Sequence, residues 1–325
     1  MVEGQLFLER EDIRVQAALS RGAALADACT EASPVALYLA SLAGDDRVLG
    51  RYQLSSQALS WSANASAGQQ QQAPALRRAS GGNTVRAGSG ILYAALALAD
   101  RSSLMACPPG RLLNRNVRGM LTGLRLAGAK TNYFGRDFLS FGAQPAVYAG
   151  WDARQREPGA GGPVLLEFFL SRTRSCFVPA TELAYPPRTE PALRGQTPTT
   201  LQEAGVDLGT EQLFEQIVQG HAKMFSVSWR AADAASITPH PDEPPSGDDT
   251  ADAHGLQWSS PREEAIGFVS AGLALDGAGK VAAVRVAGDC FAHRGCMTTL
   301  ERVLLGVSPT QELVRRAVDA AFTHA

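Results

Sequence analysis

The residues best suited to do chemistry stand together in one short run, Arg77-Arg78-Ala79-Ser80-Gly81-Gly82-Asn83-Thr84-Val85. Adjacent glycines let a backbone approach a flat or elongated ligand, their N–H groups can hold a carboxylate or phosphate, and two arginines add charge-assisted donors. The candidate binding residues are therefore Arg77, Arg78, Ser80, Gly81, Gly82, Asn83 and Val85. A surface turn with two solvated arginines accounts for the same residues. Other reactive groups are dispersed. His221, His240, His254 and His293 form no cluster with metal-ligand spacing. The cysteines Cys29, Cys107, Cys176, Cys290 and Cys296 are odd in number and contain no C-x-x-C pair, so they read as reduced thiols rather than a disulfide framework or a zinc site. Lysine is scarce, with Lys130, Lys223 and Lys280 the only three, whereas arginine is abundant.

The elements that must position this loop follow from the apolar pattern. Apolar residues at helical spacing predict an opening helix between Glu11 and Cys29. Val35 to Leu39 and Val48 to Tyr52, separated by Gly44-Asp45-Asp46, read as two strands joined by a turn. Residues Ser66 to Pro74, with four consecutive glutamines, form a polar connection. Ile91 to Leu98 is a continuous apolar run of buried-strand length. A helix is expected from Leu113 to Leu126, stopping at Gly128, and strands at Phe138 to Phe141, Pro145 to Tyr148 and Val164 to Leu170. A Pro-rich passage around Pro186 to Pro198 then leads to a helix from Thr210 to Phe225. Residues Ile237 to Pro261 contain Pro239, Pro241, Pro244 and Pro245 with the acids Asp242, Glu243, Asp248, Asp249 and Asp252, a composition that reads as a linker or mobile loop. Beyond it, strands at Ile266 to Leu275 and Val281 to Val286 flank the turn Asp276-Gly277-Ala278-Gly279, and helices start at Thr298 and Thr310. No internal repeat is present.

With 325 residues, 45% of them hydrophobic, and a net charge of only −2, the chain has material for one large core and a smaller one. The balanced charge excludes a broad basic face for nucleic acid. No run of about 18 uncharged apolar residues exists, and the acids and arginine of the first twelve positions leave no secretory h-region. The expectation is a cytoplasmic protein with no membrane and no nucleic-acid partner.

The loop resembles the R-R-x-S-G-G-G-x-V segment of the lipoate-protein ligase family, part of the superfamily of biotin and lipoate ligases and octanoyl transferases. Upstream, Val48-Leu49-Gly50-Arg51-Tyr52-Gln53 resembles that family's strand ending in V-x-G-R-x-Q. Downstream, Phe134-Gly135-Arg136-Asp137-Phe138 resembles its G-R-N-D segment, and Gly288-Asp289-Cys290-Phe291 stands where its accessory domain has G-D-F-F. Leu193-Arg194-Gly195 and Leu304-Leu305-Gly306-Val307 are similar to later segments. The resemblance implies an α/β (α+β) fold, with a mixed-sheet ligase-like large domain over residues 1–236, an acidic Pro-rich linker or loop over 237–264 and a small α/β accessory domain over 265–325. It implies ATP-dependent attachment of lipoate or a related fatty-acyl group to a lysine of a lipoyl-domain carrier protein through an acyl-adenylate. Gly135, Arg136 and Asp137 would face the nucleotide, and Asp137 would hold Mg2+, a hard cation that takes oxygen ligands.

The chain also departs from this pattern. The family's active-site lysine belongs to a G-x-K-[IV]-[SA]-G element, and the matching stretch here, Gly142-Ala143-Gln144-Pro145-Ala146-Val147-Tyr148-Ala149-Gly150, has none. Losing such a charge-assisted contact weakens transition-state stabilisation by several kcal/mol, on the order of 10²–10³-fold in rate. Asn83 replaces the third glycine, and Ala87 and Gly88 stand where many members have His-Asp. Arg154 and Arg156 are the nearest replacement cations, though arginine and lysine differ in shape. The catalytic residue is thus unassigned. Two readings follow: a divergent acyl ligase, or a catalytically impaired subunit that recognises lipoyl domains or assists another ligase. An octanoyl-transferase-like acyl-thioester would call on Cys176 or Cys107, neither of which has a histidine or lysine near it in sequence.

Overall fold

The computed structural model describes residues 2–54, 75–135, 137–154, 161–179, 197–238, 255–264, 267–289 and 291–322. Arg136, Arg156, Cys290, the segment 193–195 and most of the acidic Pro-rich stretch lie outside the described residues. Among those described, no helix is long and apolar enough to cross a membrane.

A mixed sheet runs in the order β12 (Val227–Ala232), β1 (Val2–Leu8), β3 (Val35–Ala43), β7 (Ile91–Leu98), β11 (Val164–Ser171), β10 (Gln144–Ala153), β9 (Phe138–Phe141), β8 (Thr131–Tyr133), with β2 (Ile13–Arg14) beside the end of β3. The β12–β1 and β1–β3 pairings are parallel, and those from β3 onward to β8 are antiparallel. β7 and β11 are buried at every position because both sheet faces are covered. Leu37, Leu96, Leu166 and Phe168 join one core with helices α2 (Leu112–Leu126) and α3 (Thr210–Phe225). Tyr38, Tyr93, Leu165 and Phe169 join the other with α1 (Val15–Ala24).

A second, three-stranded sheet carries the loop. β4 (Asp45–Leu49) lies between β5 (Leu76–Arg77) and β6 (Val85–Gly88), so residues 78–84 bridge two strands held by the same neighbour. β3 and β4 are therefore consecutive strands of different sheets rather than a paired hairpin, the chain turning at Gly44 with φ of 94°.

In the C-terminal part β15 (Gly267–Leu275) and β16 (Val281–Gly288) pair antiparallel, and β13 (Gln257–Trp258) and β14 (Arg262–Glu264) add to the other edge of β15. The last two fall within 237–264, where composition suggests a linker. Helices α4 (Arg294–Leu304) and α5 (Gln311–Phe322) bury Leu300, Leu304, Ala317 and Ala321 against Val284 and Val286, a core separate from those of the large sheet.

Candidate functional site

The two arginines of the glycine loop are buried. Arg78 is 1% exposed. Its Nε donates to Ser80 Oγ at 3.0 Å, Nη1 to the Val48 carbonyl at 3.3 Å, and Nη2 to the Gly81 carbonyl at 3.0 Å, the Asn83 carbonyl at 2.6 Å and the Tyr148 hydroxyl at 2.7 Å. The guanidinium also lies 4.6 Å from the Tyr148 ring centre. Arg77 Nη1 donates to the carbonyls of Gly50, Arg51 and Gln53 at 2.9, 2.9 and 2.6 Å. Arg77 thus binds the loop to the Gly50–Gln53 turn, joining two segments that the sequence resemblance singled out separately, while Arg78 ties the loop to itself, to Val48 and to Tyr148. Solvated arginines on a surface turn are not what the fold builds.

Close backbone contact explains the glycines. A Cβ on Gly50 would overlap the Gly82 carbonyl, and one on Gly150 would come within 2.5 Å of Ser80 Oγ. Gly82 has φ of 96°, and its missing side chain leaves the space taken by the Tyr148 hydroxyl and the Phe291 ring. The amides of Arg78 and Gly81 donate to the Leu49 and Trp151 carbonyls, and that of Ser80 to buried Glu167. Among the described residues the Gly82 and Asn83 amides have no acceptor. Consecutive N–H groups of this kind form a concavity suited to a carboxylate or phosphate oxygen. Val85, at the start of β6, is buried and bridges to Phe177.

The C-terminal part closes onto the loop. Phe291 stacks on Trp151 with ring centres 6.2 Å apart and planes at 9°, and the His293 ring meets Trp151 edge-on at 5.0 Å. Arg294 Nε donates to Asp152 Oδ1 at 2.9 Å, and Arg154 Nε lies 3.5 Å from Asp152 Oδ2. Tyr52 donates its hydroxyl proton to the Ala292 carbonyl at 3.0 Å and accepts at its own carbonyl from the Gly288 amide at 2.9 Å. His293 is 4% exposed, its Nδ1 has no hydrogen-bond partner among the described residues, and burial holds its pKa below the ordinary histidine value. Sequence reasoning missed Trp151, Asp152 and Arg294, because the Trp151–Phe291 and Asp152–Arg294 contacts join positions more than a hundred residues apart and leave no spacing signal.

The stretch matching the family's lysine element is the β9–β10 turn, at Gly142 with φ of 60°, followed by β10, which is irregular between Pro145 and Val147. Residues 146–150 are buried, and Tyr148 carries the only polar side chain among them. Arg154 serves the far end of β10, where it binds the Ala23 carbonyl and lies 3.6 Å from Asp27. The guanidinium that reaches residues 146–150 is that of Arg78, through the Tyr148 hydroxyl. Asp137 is partly buried, accepts the Ala149 amide at its backbone carbonyl at 2.8 Å, and adds to the burial that pushes the Tyr148 pKa up. No group of three or more potential ligands gathers among the described residues. Magnesium is usually held by one or two carboxylates plus substrate phosphates, so Asp137 suits it only as a single ligand completed by a nucleotide.

Cys176 is wholly buried, shares a 3.3 Å contact with Ser171 Oγ and donates to the Phe169 carbonyl. Burial pushes its pKa up to about 11, and burial also raises that of Cys107. Neither thiol is activated. His221 sits fully buried in α3, its Nδ1 2.9 Å from the Ile217 carbonyl.

No protein-family model matches the chain, and no curated protein matches its sequence. Solved structures match its fold. Plasmodium falciparum LipL1, solved in complex with lipoate, is 12% identical with a TM-score of 0.69, and the match covers 97% of this chain and 93% of that one. The bipartite lipoate protein ligase of Thermoplasma acidophilum is 14% identical with a TM-score of 0.56 over 72% of this chain and 88% of its own. A lipoate-protein ligase A bound with ATP is 13% identical with a TM-score of 0.53 over 71% and 89%.

Proposed function

Because the chain carries the lipoate-protein ligase fold, we propose that it attaches lipoate or a closely related acyl group to a lysine of a carrier domain, using ATP to form an acyl-adenylate. The observation that carries this reading is the likeness to the lipoate-bound LipL1 structure over 97% of the chain, C-terminal part included. In this reading the amides of Gly82 and Asn83 donate to the oxygens of the acyl carboxylate and, after adenylation, of the mixed anhydride. Arg78 contributes positive potential from beneath the loop, and Asp137 is the residue that would hold Mg2+. The metal would supply charge neutralisation of the triphosphate. Trp151 and Phe291 form an aromatic wall that keeps water from the loop.

The family's lysine has no counterpart here, and the positive charge that contacts Tyr148 in the matching stretch is Arg78, whose Nη2 already serves Gly81, Asn83 and Tyr148. Binding should therefore survive better than turnover. Calorimetry with lipoate and an ATP-dependent modification assay on a lipoyl domain, run on one preparation, test the proposal. Lipoate binding with slow modification is the expected result. Failure to bind both lipoate and a lipoyl domain would overturn it.

A further inference from the structure

Glu167 is the lone charged residue in the apolar strand Val164–Ser171 and is wholly inaccessible to solvent. A buried carboxylate is strongly unfavourable unless its oxygens are hydrogen bonded. Both are: Oε2 accepts the Ser80 amide at 2.6 Å, and Oε1 accepts the Tyr93 hydroxyl at 2.6 Å. Space for that hydroxyl is made by Gly22, where a Cβ would overlap it. Burial and the adjacent Glu167 hold the Tyr93 pKa far above its usual value, so the phenol keeps its proton and remains a donor.

Ser80 is consequently fixed at three points. Its amide is on Glu167, its Oγ accepts from Arg78 Nε, and its carbonyl accepts the Arg51 amide at 2.9 Å. Gly81 and Gly82, which follow this residue, cannot fix the loop themselves, since glycine is the most permissive backbone unit. In this arrangement the chain's own carboxylate occupies the Ser80 amide, and the next amides without an acceptor are those of Gly82 and Asn83.

We infer that Glu167 is the positioning residue of the glycine loop, holding Ser80 so that the Gly82 and Asn83 amides, and not that of Ser80, meet the oxygens of the acyl substrate. The identity of that substrate rests on the proposed function; the loop geometry does not.

The test compares full-length wild type with Glu167→Leu, which deletes both acceptors, and Glu167→Gln, which keeps an acceptor for Ser80 and can donate to the Tyr93 oxygen. Amide hydrogen exchange over residues 76–88 and lipoate affinity by calorimetry are the two readouts. Exchange at Ser80 should quicken at least about tenfold and affinity should fall by about as much in Glu167→Leu, one decade being a modest loss for a displaced binding group. Glu167→Gln should restore both, a rescue that loss of packing alone does not give. If Glu167→Leu does not fold, Tyr93→Phe, which removes one of the two bonds, takes its place: faster Ser80 exchange supports the assignment. Unchanged Ser80 exchange in the variants, or Glu167→Gln exchanging as fast as Glu167→Leu, overturns it. Wild-type protein that binds no lipoate overturns the proposed function instead, and the exchange pattern still decides the role of Glu167.

Discussion

Gly82→Ala isolates how tightly the loop is packed, because the same backbone conformation occurs elsewhere without neighbours. Gly82 and Gly128 have φ of 96° and 94°, but a Cβ at Gly82 meets the Tyr148 hydroxyl and comes within 2.8 Å of the Phe291 ring, whereas at Gly128 nothing lies within 4 Å. Alanine at either site adds left-handed strain of roughly 1–2 kcal/mol. At Gly82 the Tyr148 hydroxyl must also move, and it is held by Arg78 Nη2 at 2.7 Å. Weakening a hydrogen bond to a charged group costs about 1.5–3 kcal/mol, and overpacking adds roughly 1–3 kcal/mol. Gly82→Ala should therefore destabilise the protein by about 3 kcal/mol more than Gly128→Ala, a large part of a typical stability of roughly 5–15 kcal/mol. Urea unfolding of both variants, with equal m-values, measures the difference. A gap of less than about 1 kcal/mol would refute the packing argument, since the steric and hydrogen-bond contributions would then be absent.

Three further outcomes are expected. His221, with burial lowering its pKa to about 4, should show no imidazolium signals by NMR down to about pH 5. The unfolded value is near 6.5, so the unfolded chain binds the proton first; the stability linked to this group is present above about pH 6.5 and is lost, by up to about 3 kcal/mol, as pH falls toward 4. Observation of a titration near pH 6.5 would show that the ring is not buried. Asp152→Asn leaves the Arg294 and Arg154 guanidinium groups facing a neutral partner, and should lower stability by about 3–5 kcal/mol in denaturant titration, as when a buried pair is broken; a change below about 1 kcal/mol would mean these contacts hold nothing. Cys176, with its pKa near 11, should resist iodoacetamide at pH 8 until the protein is unfolded, by peptide mass spectrometry; rapid native labelling would reopen an acyl-thioester route.

What the sequence reveals depends on how each element is buried. β7 and β11 read directly as strands because both faces lie in the core, giving unbroken apolar runs. β1 did not, because Glu3, Gly4 and Gln5 interrupt it, and Gly4 is there to admit the Trp229 ring of β12. The pairing of β4 was equally hidden, since β5 lies beyond a long polar connection and adjacency favours β3 as partner. In the loop, residue types were legible but directions were not. An arginine fork that suits a ligand carboxylate also suits a row of backbone carbonyls, and Arg77 and Arg78 are spent largely on the latter. Glu167 did leave a signal, a single acid in a run of apolar residues, whereas the stacking of Phe291 on Trp151 depends on a tertiary contact that no spacing encodes.

These placements bear on rate and affinity separately. Arg78 makes five hydrogen bonds within the protein, so in the reaction proposed here its charge acts through the loop rather than by direct contact. The groups left to touch an acyl head are then the two neutral amides of Gly82 and Asn83. Donors that already hold the ground-state carboxylate bind ground and transition states alike, which lowers KM more than it raises kcat. A mobile ammonium would follow the developing charge, and none is present between Lys130 and Lys223. Introducing one on β10, at Ala146 or Val147, would have to displace core packing that is completely inaccessible to solvent. Recovering fast ligation by Ala146→Lys or Val147→Lys is therefore not expected, and a variant that kept its stability while gaining activity would show that β10 is less tightly packed than its burial implies.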